Sequence, residues 1–280
     1  MTSPPVLFDR KALGLRRARA AVRPADFLHE AVVAEVKERL AEVNKSFTAP
    51  AIVTGRPSLW QLAFPDAKIT PDDDVLDLSR DGHDLVIHSL ALHWANDPVG
   101  QLVQCRRALR PDGLFVGVLF GGQTLHELRT SLAETEAAVM NGLSPRVAPM
   151  GEIRDLGALL QRAGFALPVA DAAPVTASYA SALHVMRDLR AMGETNVMMG
   201  RDRRTPPRRF FAEVAAHYAT HFPAEDGRVR ATFDLVYLTG WAPSDTQQKP
   251  LRPGSAQARL ADALGTREHG TGEKPGDGPD

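Results

Sequence analysis

The run Asp84-Leu85-Val86-Ile87-His88 constrains this chain more than any other, because a continuously apolar segment of strand length requires a sheet covered on both faces. Asp97-Pro98 then opens a helix, with proline in its first turn, whose Val99, Leu102, Val103 and Leu109 can face that sheet. The helix stops near Arg110, Pro111-Asp112-Gly113 turns the chain, and Leu114 to Phe120 supplies a second buried strand. Strand, helix and strand joined by a short turn form a parallel, right-handed crossover, which sets the fold class as α/β.

The remaining elements fit around that unit. Asp26 reads as the N-cap of an amphipathic helix through Phe27, Leu28, Val32, Val36 and Val43. Ala51 to Thr54 is β-prone and ends at Gly55, a helical piece spans Leu59 to Phe64, and a further strand surrounds Ile69. Thr124 and Glu127 are spaced as a capping box for the helix carrying Leu125, Leu128 and Leu132. Gly164 followed by Phe165 has the pattern of a glycine C-cap. Residues 179–192 and Pro206 to Tyr218 read as helices, Pro168 to Val175 as a weak strand, and Thr232 to Gly240 as the last clear strand. These elements give an N-terminal helical arm over residues 1–46, an α/β domain with helical insertions over 47–242, and a polar extension over 243–280. That extension holds a short helical segment near Ala256 to Leu264 and is expected to be disordered from about residue 265.

Charge and cysteine content narrow the function classes. With 33 basic against 34 acidic side chains, nothing in the overall balance points to nucleic acid. A local excess in Arg10, Lys11, Arg16, Arg17, Arg19 and Arg23 reads as a solvated helix face, with an anionic partner surface as the alternative. The single cysteine, Cys105, lies at helical spacing from Leu102 and Leu109 and reads as a packed thiol. No run reaches the about 18 apolar residues of a membrane span. The start of the sequence lacks the apolar core of a secretory signal, so the expected compartment is the cytoplasm.

The segment Asp84 to Asp97, with His88, Ser89, His93, Trp94 and Asn96, resembles the motif after strand four of methyltransferases related to the malonyl carrier-protein methyltransferase of biotin synthesis. Arg110-Pro111-Asp112-Gly113, Gly121 to Arg129, Arg162-Ala163-Gly164-Phe165, Met192 to Asn196 and Gly240-Trp241 extend the resemblance over about residues 8–242. More narrowly, they resemble the methyltransferase-fold family of a mitochondrial complex I assembly factor known as an arginine hydroxylase. The resemblance implies a Rossmann-like class I methyltransferase sheet, S-adenosylmethionine as cofactor, and a protein substrate or partner in complex I assembly. It leaves open whether the chain is a methyltransferase-type enzyme, an arginine hydroxylase, or a noncatalytic assembly protein that has lost cofactor binding.

The departure from that family lies in the first half. Where the family carries several glycines after an acid, this chain has Ile52-Val53-Thr54-Gly55-Arg56-Pro57-Ser58. From Thr54 to Asp84 there are only 30 positions, whereas two strand and helix pairs need about 50. One βα unit is therefore expected to be missing, the first half of the sheet to be shortened, and cofactor binding to be weak or absent. Gly55 remains either a cofactor glycine or a turn glycine. Arg56 reads as a partner for the cofactor carboxylate or as an occupant of its site. The acidic group Asp72 to Asp74 lies at about the distance of a ribose-binding acid from Gly55 but matches the family's adenine-side acids better, with a solvated acidic turn as the alternative; Asp73 and Asp74 are its cofactor candidates, and Ser89 and Trp94 complete the set.

His93 and Glu194 are the weak catalytic candidates. His93 has no carboxylate in view to orient it and reads first as pocket wall; Glu194 reads as a carboxylate for a substrate arginine or as a residue that caps or solvates a loop. Gly121, Gly122, Asn196, His93 and Glu194 form the candidate substrate pocket. His83, His88, His93 and His126 lack metal-ligand spacing, so no metal site is expected.

Overall fold

The computed structural model of this chain describes residues 6–140 and 142–247. Its centre is a six-stranded sheet of β1 (Pro50–Thr54), β2 (Lys68–Thr70), β3 (His83–Ser89), β4 (Leu109–Phe120), β5 (Ala166–Tyr179) and β6 (Val229–Trp241), in the order β2-β1-β3-β4-β6-β5. The four strands β2, β1, β3 and β4 are parallel, and β6 is antiparallel to both β4 and β5.

Alternation along the central strands explains why both faces are covered. Leu85 and Ile87 of β3, with Val116 and Val118 of β4, join one core with α2 (Phe27–Glu42), α5 (His126–Met140), α7 (Ala182–Met192) and α8 (Arg208–His221). Val86, Phe115 and Leu119 point the other way, onto α4 (Pro98–Ala108) and α6 (Ile153–Ala163). Cys105 is buried in that second core, as its spacing implies. The described residues up to Ser244 belong to one unit.

Between β1 and β3 the chain forms one helix, α3 (Pro57–Ala63), and the three-residue β2. The shortened first half expected from the residue count is therefore present, with six strands in the sheet among the described residues. Asp97 accepts from the Gly100 amide at 2.8 Å with Pro98 in the first turn, and Gly164 adopts φ 81° after α6.

Three local expectations are corrected. Leu109 pairs with His83 across the sheet and starts β4, so it does not belong to the helical face. Thr124 and Glu127 make no capping box: the Thr124 hydroxyl donates to the Asp234 carbonyl, and Glu127 accepts from the Thr232 hydroxyl at 2.6 Å. Both side chains tie the start of α5 to β6, a strand 105 or more residues later, which sequence spacing within the helix cannot reveal. Asp26 stands at the N-cap position of α2 but makes no cap hydrogen bond, because its carboxylate pairs with Arg56. The expected helix near Ala256 to Leu264 and the expected disordered tail lie outside the described residues.

Candidate functional site

Open α/β sheets place ligands beyond the carboxyl ends of their parallel strands, and the candidate residues of this chain gather at that edge. After β3, a short 3-10 turn over Leu92–Trp94 carries His93 and Trp94. Opposite them, α7 stops at Gly193, whose φ of 81° suits glycine and turns the chain inward at Glu194. The Trp94 indole donates to Glu194 Oε2 at 2.6 Å, and His93 Nε2 lies 3.0 Å from the same oxygen. The carboxylate that orients His93 thus comes from 101 residues along the chain.

The Glu194 side chain is only 9% exposed. Burial alone would raise its pKa, but His93, Arg17 and Trp94 outweigh burial and hold it below the usual carboxylate value. His93 Nδ1 is buried without a partner, and its ring packs 4.7 Å from that of Phe120.

The cleft beside Gly55 is organised by α1 (Arg10–Ala20), a helix whose N-cap Asp9 accepts from the Ala12 amide. Arg10 and Arg17, two turns apart on one face of α1, both reach Asp72. Arg17 Nη1 stands 2.5 Å from Asp72 Oδ1, and the Asp72 side chain is 5% exposed. Burial acts to raise the Asp72 pKa, and the two guanidiniums more than reverse it. The Arg17 guanidinium also lies across Gly55: a Cβ built on that glycine would come within 2.5 Å of Arg17 Cζ. Arg17 and Gly55 line both a cavity of about 360 Å³, shared with Thr54, Thr70, Asp72 and Asp73, and one of about 870 Å³, shared with Asp26, Arg56 and Pro57. Within the larger cavity, Arg56 is paired with Asp26.

The remaining candidates are dispersed. Asp73 and Asp74 are exposed, whereas their neighbour Asp72 is buried. Ser89 is buried at the end of β3 with its hydroxyl unpartnered. Gly121 and Gly122 lie where a side chain would strike Val236 and Glu152, so they serve close packing after β4. Asn196 donates to the Pro145 carbonyl at 2.7 Å and lines a cavity of about 470 Å³ together with Trp94 and Glu194.

The four histidines are likewise separate. His83 bonds the Ala49 carbonyl, His88 bonds Gln101, and His126 bonds the Gln123 carbonyl. Burial lowers the pKa of His88 to about 4. Among the described residues, no group of three or more His, Cys, Asp or Glu side chains is placed to hold a metal.

Sequence reasoning placed Arg17 only in a basic face and Asp72 only in an acidic stretch, and missed their pairing and the route by which α1 enters the site. The expectation of a solvated basic face holds for Lys11, Arg19 and Arg23, which are exposed, and fails for Arg10, Arg16 and Arg17. A signal was available: Arg10 and Arg17 are seven positions apart and therefore share a helix face, which can meet one acid. No helix among the described residues is long and apolar enough to cross a membrane.

No family model matches the chain. Individual proteins do. The chain is 32% identical over 293 residues to "Arginine-hydroxylase NDUFAF5, mitochondrial" of Rattus norvegicus, covering 93% of this chain and 85% of that protein. It is 40% identical over 199 residues to the protein of the same name from Danio rerio, covering 71% of this chain but 62% of the relative. The malonyl-[acyl-carrier protein] O-methyltransferase of Halorhodospira halophila is 36% identical over 213 residues, with 75% and 70% covered. In the Dictyostelium discoideum relative the match spans 46% of the protein's length. A solved Bacillus halodurans chain described as a methyltransferase shares 14% identity at a TM-score of 0.49, with 76% of this chain and 99% of that one covered, and carries no further weight.

These relatives overturn the cytoplasmic expectation, since the Danio, Rattus, Mus and human proteins are mitochondrial by name. The lack of an apolar N-terminal run speaks only to a secretory signal and specifies no compartment. By descent and by sheet, the chain belongs to the class I S-adenosylmethionine methyltransferase-like family that takes in the NDUFAF5 arginine hydroxylases and the malonyl carrier-protein O-methyltransferases.

Proposed function

We propose that this chain acts on a protein in the assembly of respiratory complex I, as a family member whose cofactor cleft is closed by its own arginine. The observation that carries the reading is the placement of Arg17 over Gly55 and against Asp72. A cofactor with a ribose and an aminoacyl end depends on backbone reached across glycine and on a well-placed acid. In this chain the approach to the glycine is taken by a guanidinium, and the buried acid is already shared by two arginines. As they stand, these residues do not fit the cofactor. Arg56, the other candidate for the cofactor carboxylate, is paired with Asp26.

The fold, shared with methyl-transferring relatives, does not by itself assign catalysis. The resemblance to the family of complex I assembly factors supports the pathway, and the arginine over Gly55 favours an assembly protein over a methyl donor's enzyme. Isothermal titration with S-adenosylmethionine and its demethylated product is the test. The expected dissociation constant is weaker than about 10 μM, equivalent to roughly −7 kcal/mol, and tighter binding sinks the reading of a closed cleft. Affinity capture from cell extract tests the pathway: complex I subunits are expected, and acyl carrier protein without them would reverse the assignment.

A further inference from the structure

The cavity of about 470 Å³ beside Glu194 combines apolar side chains with arginines. Leu125, Leu132, Met150, Met186, Leu189 and Phe211 supply its apolar floor, and Arg16, Arg146, Arg190, Arg201, Arg203 and Arg204 also line it. Acids answer some of these arginines. Arg146 pairs with Glu136 at 2.6 Å, Arg201 with Asp9 at 2.8 Å, and Arg204 with Asp202 at 3.1 Å, with Arg203 at the edge of reach of Asp9.

Arg16 and Arg190 have no carboxylate within 4.0 Å among the described residues. Arg16 donates instead to the Thr195 hydroxyl. Burial, and then Arg201 and Arg19, lower its pKa, with Arg190 adding less and Asp9 opposing them in part. Arg16 and Arg190 are like charges without an ion-pair acid beside apolar side chains, and an arriving anion would relieve their repulsion. The acids on the cavity wall cannot serve, because Glu194 is engaged by Trp94 and His93 and Asp202 by Arg204.

The same two arginines continue into an adjoining cavity of about 390 Å³ lined by Ala12, Leu15, Arg16, Arg19, Arg190 and Thr195. Two adjoining cavities with a shared cationic edge suit an extended chain with spaced carboxylates better than a single small anion. We propose that this groove binds an acidic, leucine-bearing segment of a protein partner, with its carboxylates on Arg16 and Arg190 and its apolar side chains on the methionine, leucine and phenylalanine floor. Guanidinium forks match carboxylates bidentately, which gives such a segment register as well as affinity. The inference rests on the reading that this chain acts on a protein, and it names that partner's chemistry. It runs against a substrate arginine paired with Glu194: an incoming guanidinium would meet Arg16 and Arg190, which have no ion-pair acid among the described residues, and a carboxylate that already holds two partners.

The test uses the full chain and fluorescence anisotropy of a short fluorescein-labelled peptide of alternating glutamate and leucine, with an arginine-leucine peptide as its charge-swapped counterpart. The acidic peptide is expected to bind, to weaken about tenfold or more in Arg16→Ala and Arg190→Ala, and to weaken as salt rises. Arg154→Ala, an exposed arginine of α6, is expected to leave it unchanged. Equal binding of the arginine peptide, an equal loss in Arg154→Ala, or no loss in Arg190→Ala overturns the proposal. If Arg16→Ala does not fold, the exposed Arg190→Glu carries the same test. Titration with S-adenosylmethionine on the same preparation separates the two ideas, since tight cofactor binding defeats the closed cleft and leaves the groove standing.

Discussion

Arg16 and Arg17 are neighbours on one helix and meet opposite circumstances. Arg17 turns into the sheet edge, meets the buried Asp72 and lies over Gly55. Arg16 turns toward the insertion after α7, meets a hydroxyl, and faces other arginines. An arginine that finds a fixed, buried carboxylate fills its site. One that finds none leaves its site in need of an acid from elsewhere. The same helix thereby sets one arginine over Gly55 and leaves the other on the wall of the next cavity.

The largest expected effect breaks the closed side. Asp72→Asn removes the charge that answers both Arg10 and Arg17, and taking one partner from a buried pair costs about 3–5 kcal/mol. A urea unfolding series on the variant should show a loss of that size; a loss below about 1 kcal/mol would mean that Arg17 is not held by Asp72.

A smaller effect comes from His88, which bonds Gln101, whose amide in turn holds the Asp72 and Asp73 carbonyls. Burial lowers the His88 pKa to about 4, so the folded imidazole takes up its proton less readily than the unfolded one, whose value is about 6.5. Its contribution is complete above pH about 6.5 and is lost as pH falls from there to about 4, where the folded form also protonates. Stability is expected to fall by roughly 2 kcal/mol from this group between about pH 7 and pH 5. Chemical denaturation at the two values checks it, with His88→Gln expected to flatten the dependence; His29, also buried and lowered to about 4, keeps its own share.

The smallest effect belongs to the open side. Asp202→Asn releases Arg204, whose side chain is 86% exposed, and solvent screening leaves such an exposed pair little to contribute. A thermal midpoint within a few degrees of the parent is expected. A drop comparable to that of Asp72→Asn would erase the contrast between the two sides.

Much of the sheet was legible because its signals are local. The apolar run through Ile87, the Pro98 helix start and the Gly164 stop each act within a few residues, and the short interval from Thr54 to Asp84 is a count. The site was less legible because its decisive contacts join distant parts of the chain. Arg17 reaches Asp72 across 55 positions, and His93 reaches Glu194 across 101. Glu194 and His93 were both candidates, yet nothing in their own neighbourhoods could pair them. Glu127 shows the converse error: a spacing that satisfies a local rule was used for a contact with β6, 105 positions away.

Gly193 sits where the two sides meet. Its positive φ delivers Glu194 to Trp94 and His93, and a Cβ built on it would stand 3.0 Å from Arg17 Cγ. Any side chain at that position is therefore resisted twice, by the backbone and by the arm. The two cavities therefore share one pivot: a side chain at 193 would shift the seat of Arg17 and the aim of Glu194 together.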